Sequence, residues 1–286
     1  MTKGDTTPPG PPEPLAAPVI DSHTHLNLHD RYLHGDNVPD ADDMLALAAS
    51  VGVTKVVQIG CDVEYARHSL EMARDRPDVV VGVSIHPNDA ARIAERDGLQ
   101  ALDKAIDEIS SLAVQEKVFA VGETGLDYFR TGPELHAAQQ HSFRRHIELA
   151  NELDKTLVIH DRDSHEDVLA VLESSGAPRR TVFHCFSGDA EMARYCAERG
   201  YFMSFAGPIT YKANDELRAA LDHVPDHLLL VETDAPYLTP VPHRGKPNAS
   251  YLMPHTVRFM AAHRGIDEAV MCTLLFDNTQ RAFGTW

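Results

Sequence analysis

Along the chain, short runs of β-branched and apolar residues alternate with longer stretches in which apolar positions recur every three or four residues. The short runs are Val19-Ile20, Lys55 to Ile59, Val79 to Ile85, Val118 to Gly122, Leu157 to Ile159, Thr181 to Phe183, Tyr201 to Phe205 and Leu228 to Val231. Helical periodicity marks Asp42 to Ser50, Glu64 to Arg74, Leu99 to Leu112, Glu134 to Leu153, His165 to Glu173, Ala190 to Arg199 and Asp215 to Asp222. Strands that alternate with helices imply parallel pairing, and continuous apolar runs imply strands buried on both faces. An open doubly wound sheet would satisfy the same pattern, yet no G-x-G-x-x-G follows a strand and no G-x-x-x-x-G-K occurs. The expected fold is therefore a closed TIM (β/α)8 barrel in a single domain, which the 286 residues accommodate. Residues 1–17, rich in proline and with little to bury, are expected to form a disordered leader before a barrel over residues 18–286.

Composition narrows the function. A hydrophobic content of 43% and a charged content of 24% are those of a folded protein. The net charge of −17, with no basic stripe, argues against a module that lies along a nucleic-acid groove. It leaves room for an enzyme that grips one phosphate through metal ions. Cys61, Cys185, Cys196 and Cys272 form no C-x-x-C pair and too sparse a set for a disulfide framework, so they are expected to be reduced. Neither a secretory signal nor an apolar run of about 20 residues is visible. A cytoplasmic protein without membrane contact is expected, and nothing points to an obligate protein partner.

Candidate chemistry gathers at the ends of the predicted strands, where a barrel of this class places its reactive groups. The first strand runs into Asp21-Ser22-His23-Thr24-His25, and alternation puts Asp21, His23 and His25 on one face. Two imidazoles spaced two residues apart can close on one cation. Strand four ends in Glu123, strand five in His160, strand six in His184 and strand eight in Asp234. Four imidazoles and two carboxylates suffice to ligate two divalent cations that share a bridge. The ligand mixture suits Zn2+ or Mn2+, with Mg2+ open where a substrate phosphate adds oxygens. His86, Arg130, Arg244 and Lys246 are candidate substrate contacts, and Asp21 and Glu232 candidate supports behind the ligands. The remaining histidines are expected to be solvated. Gly82-Val83-Ser84-Ile85-His86 lacks the last glycine of a nucleophile elbow, so covalent catalysis is not expected.

At these residues the sequence resembles the TatD family of metal-dependent deoxyribonucleases. The resemblance spans about Val19 to Phe283. It rests on Asp21 to His25, Gly122-Glu123-Thr124-Gly125-Leu126-Asp127-Tyr128, Gln139-Gln140 to Phe143-Arg144, Ile159-His160, His184-Cys185-Phe186-Ser187-Gly188, Glu232 to Leu238, Arg244-Gly245-Lys246 and Asn278 to Gly284. It implies that His23, His25 and Asp234 hold one cation, that His160 and His184 hold the second, and that Glu123 bridges them. It further implies phosphodiester cleavage by a metal-activated water, with 3′–5′ exonuclease-like trimming of single-stranded DNA ends. Asp234 is the candidate for taking the proton from that water. One departure is Ala249-Ser250, where the family commonly has Glu-Pro after the asparagine, which bears on loop contacts around substrate. Two alternatives stand beside this reading. The same metal site would serve ester or amide hydrolysis, such as deacylation of aminoacyl-tRNA, whereas a non-catalytic scaffold would have no reason to retain all six ligands.

Overall fold

The computed structural model describes residues 7–26 and 40–286. Its strands are β1 (Val19–Thr24), β2 (Val53–Gly60), β3 (Val79–Val83), β4 (Val118–Asp127), β5 (Thr156–Arg162), β6 (Thr181–Phe183), β7 (Phe202–Phe205) and β8 (Leu229–Val231). They form one eight-stranded sheet in sequence order, with parallel pairs such as β1–β2, β4–β5 and β7–β8. Past β8 the chain returns to β1: Asp234 N–H donates to the His23 carbonyl and His25 N–H to the Ala235 carbonyl, both at 2.9 Å. Helices occupy the connections: α1 (Ala41–Ser50), α2 (Val63–Ala73), α3 (Pro87–Asp97), α4 (Leu99–Ala113), α5 (His136–Glu152), α6 (His165–Ser175), α7 (Ala190–Glu198), α8 (Asp215–Leu221), α9 (Met253–Arg264) and α10 (Glu268–Phe283). This is the expected TIM barrel.

The differences from expectation concentrate where polar residues face a site. β4 does not stop at Gly122 but runs on to Asp127, and β5 runs on to Arg162, so Glu123 and His160 lie inside their strands rather than at their ends. Glycine allows this. Gly125 has φ +139°, and a Cβ there would come within 2.1 Å of the His160 carbonyl oxygen. Only a residue without a side chain lets the two backbones approach so closely.

Two compact units make up the chain. One comprises Met1–Gln58, Gly188–Arg199 and Met203–Arg281, and its core includes the fully buried Val19, Ile20, Val56, Val57, Leu229 and Leu230. The segment expected as a leader belongs to this unit. Leu15 is buried and its N–H donates to the Val51 carbonyl at 3.0 Å; Tyr251 Oη donates to the Pro9 carbonyl at 2.7 Å; and the Arg258 guanidinium reaches the carbonyls of Glu13 and Pro14. Residues 1–6 lie outside the described residues.

The other unit comprises Ile59–Ser187, Gly200–Phe202 and Ala282–Trp286. Its core is built from the fully buried strand residues Val79 to Val81, Val121 and Leu157 to Ile159, covered by Phe143 and Ile147 of α5. His146, on the same helix, is fully buried too, against the expectation that the histidines outside the ligand set are solvated. Its Nε2 accepts the Ile85 N–H at 3.1 Å, and its Nδ1 lies 2.7 Å from the Ser142 carbonyl.

Candidate metal centre

In the first unit, β1 delivers His23 and His25 side by side, their ring centroids 5.2 Å apart and the planes at 75°. Asp234 follows β8 in a left-handed conformation, φ 52°, which turns its carboxylate toward them. Its Oδ1 lies 3.7 Å from His23 Nε2 and 3.5 Å from His25 Nε2. Two imidazole nitrogens and one carboxylate oxygen thus face one point. This donor set fits a divalent transition-metal ion.

Behind these ligands lies Asp21, fully buried. Oδ1 accepts the Thr233 N–H at 3.0 Å, and Oδ2 accepts the hydroxyls of Thr233 and Ser250 at 2.5 and 2.7 Å. Burial pushes its carboxyl up to about 7, against the opposing pull of the Thr233 and Ser250 hydroxyls. Ser250 is one of the two residues at which the sequence departs from the TatD pattern. It contacts Asp21 rather than acting only in an outlying loop. Glu232, the residue after β8, is fully buried. Asn248 ties the following loop together, donating to the carbonyls of Thr233 and Tyr237 at 2.9 and 2.7 Å. Farther along that loop the Arg244 guanidinium stacks 4.0 Å over the Tyr211 ring, and the Lys246 carbonyl accepts the Thr239 hydroxyl at 2.5 Å.

In the second unit Glu123 is the hub. Its Oε1 lies 2.6 Å from His160 Nδ1, 2.7 Å from His184 Nε2 and 3.5 Å from His86 Nε2, while Cys61 Sγ is 3.7 Å from Oε2. Burial would raise the Glu123 pKa, but the facing His184 and His86, with the His160 and His184 hydrogen bonds, hold it well below the usual carboxylate range. The carboxylate is therefore ionised, as a ligand must be. Sequence inspection missed Asp127, although alternation from Glu123 along β4 places both on one face. Asp127 Oδ2 lies 3.3 Å from His160 Nε2 and accepts the Asn88 amide at 2.9 Å. A carboxylate that accepts from Nε2–H fixes the ring, with Nδ1 hydrogen-bonded to Glu123 here and open to a cation that displaces that proton, the arrangement by which carboxylates orient ligating histidines. Burial works against the charged form of both partners, yet their contacts prevail, lowering Asp127 and raising His160.

His86 plays a different part. Its Nδ1 accepts the Asn88 N–H at 3.1 Å as the N-cap of α3. The neutral ring must then carry its proton on Nε2, which faces Glu123 as a donor rather than as a ligand. Arg130 is exposed, and its N–H donates to Asp127 Oδ1 at 2.9 Å.

Both donor sets lie on the barrel scaffold, and comparison with known proteins agrees with it. The model of the TatD-related DNase family matches residues 20–284. The chain belongs to this family. A TatD protein of Mycobacterium tuberculosis, described as an uncharacterized metal-dependent hydrolase, is 39% identical over 275 residues, covering 93% of this chain and 98% of the relative. The TatD of Salmonella typhimurium, named a 3′-5′ ssDNA/RNA exonuclease, is 31% identical over 254 residues, covering 85% of this chain and 93% of the relative. Among solved structures, the TatD homologue YJJV of Escherichia coli K12 superimposes with a TM-score of 0.80 at 26% identity, covering 94% of this chain and 98% of that one. The protein is thus a metal-dependent hydrolase of the TatD family.

Proposed function

We propose that this TatD-family hydrolase cleaves phosphodiester bonds at single-stranded DNA ends, proceeding 3′ to 5′. The observation that carries the reading is the pair of donor sets, His23–His25–Asp234 and Glu123–His160–His184, each with an imidazole-rich face and a single carboxylate hub. The relative named for 3′-5′ exonuclease activity supports the substrate class. Bound divalent cations would supply charge stabilisation to the phosphoryl oxygens and bring water into the nucleophilic range near neutral pH.

The chain's own residues do the rest. Asp234 orients the attacking water and accepts its proton. Glu123 is the ligand the resemblance assigns to both cations, and Asp127 fixes the His160 ring. His86, with its proton on Nε2, donates to a substrate phosphoryl oxygen. Arg130, Arg244 and Lys246 supply the few further positive contacts.

The test is a time course with the metal-loaded protein on single strands labelled at the 5′ end. Progressive one-nucleotide shortening is expected, abolished by chelation and by Asp234→Asn. Inert oligonucleotides together with turnover of aminoacyl esters would overturn the proposal in favour of ester hydrolysis by the same residues.

A further inference from the structure

The loop that follows Asp127 presents an aromatic ring to solvent in an unusual setting. Phe129 is 61% exposed, and the Arg162 guanidinium lies over its ring, 3.9 Å from the centroid. That ring is the only partner of the Arg162 guanidinium among the described residues, and the side chain of Arg130 pairs with no carboxylate among them. One exposed ring thus carries an arginine that has no carboxylate partner among the described residues, with a second arginine next to it in the chain, on a protein whose net charge is −17.

Position makes this more than a stray surface residue. Phe129 comes two residues after Asp127, and Arg162 two residues after His160; Asp127 and Arg162 are register partners on β4 and β5, and the Tyr128 N–H donates to the Arg162 carbonyl at 2.9 Å. One carboxylate does both jobs. Asp127 Oδ1 holds the turn that displays Phe129, through the Arg130 N–H, while Oδ2 faces His160. The platform is also rigid. Tyr128 donates to Asp167 at 2.7 Å and stacks on His136 at 3.5 Å, and on the other side Asp161 is held by Ser164 at 2.9 Å and His165 at 2.7 Å.

We propose that Phe129, backed by Arg162, is a stacking platform for the base of a nucleotide whose phosphate sits at the Glu123–His160 cluster. This rests on the phosphodiester reading above and deepens it by naming the subsite. A planar ring that is 61% exposed and carries a cation stacked on it suits a nucleobase, and stacking tolerates any base. Arg162 on the ring and the exposed Arg130 next to it in the chain suit a phosphate-bearing ligand. A protein partner would call for a contiguous apolar patch. In this unit the other large exposed apolar residues, Leu99 and Val114, instead stand at opposite ends of helix α4.

The experiment compares two chromogenic phosphodiesters with the metal-loaded protein: thymidine 5′-(4-nitrophenyl phosphate) and methyl 4-nitrophenyl phosphate, which lacks a base. Wild type is expected to favour the nucleoside ester, mainly through KM. Phe129→Ala should cut that preference about 10-fold, within the range set by stacking of one base, Phe129→Trp should keep it, and Arg162→Gln should lower it less. Independently, the fluorescence of Phe129→Trp should be quenched by thymidine monophosphate and not by deoxyribose 5-phosphate. An equal loss on both esters, or an unchanged preference with a change in oligomeric state, would overturn the platform. Should wild type cleave neither ester, the phosphodiester reading fails, and the fluorescence titration alone decides whether the ring binds a base.

Discussion

At the scale of single residues, the ligand candidates were legible because strand alternation is a strict geometric rule. Alternation along β1 puts Asp21, His23 and His25 on one face; His23 and His25 stand together at 5.2 Å, while Asp21 holds Thr233 and Ser250. Asp127 obeys the same rule from Glu123, but the apolar run stops at Gly122, so strand four is expected to end in Glu123 and not to reach Asp127. Its importance lies in a second contact that no spacing reveals, the 3.3 Å approach to His160 Nε2. Asp127→Asn preserves the side-chain shape and places an amide where the proton acceptor stood. A loss of about 10- to 100-fold in metal affinity at the His160 cluster is expected, the usual cost of removing such a partner, with folding largely retained. Isothermal titration of the metal-free variant checks this; wild-type affinity would show that Asp127 only shapes the loop.

Among the elements, strands were easier to read than helices. A β-branched run such as Val79 to Val83 has few alternatives, whereas α3 buries only Pro87, Ala90 and Ala91, a narrow stripe of small residues on an otherwise polar helix. Pro87 after His86 looks like a loop until His86 is seen to cap the helix. Helix α5 was found, but its tie to Ile85, just past β3, was not, since a histidine on a helix face gives no sign of what lies beneath it. Burial lowers the His146 pKa to about 4 from an ordinary 6.5. Between those values the unfolded chain takes up a proton that the folded chain refuses, so stability falls as pH drops from 6.5 toward 4 and is unaffected by this group above 6.5. From about pH 7 to about pH 5 this contributes a loss on the order of 2 kcal/mol. Urea unfolding of the metal-free protein should show that loss to be smaller by a similar amount in His146→Gln, whose amide can still accept the Ile85 N–H. Parallel pH dependence in the two proteins would contradict the assignment.

For the whole molecule, the fold followed from the count and order of strands, because eight parallel strands with helical crossovers have few ways to bury both faces. The packing of the segment before β1 did not follow. Proline-rich composition speaks only to what the backbone cannot pair with, whereas Pro9, Glu13 and Pro14 are held through their carbonyls, which proline retains. The proposed function requires two cations, one at each donor set. The direct measurement is metal content and anomalous scattering of reconstituted wild type, His23→Ala and His184→Ala. Two cations per wild-type chain are expected, with one peak lost from His23→Ala and the other from His184→Ala. A single cation in wild type, or loss of the same peak alone from both variants, would contradict it.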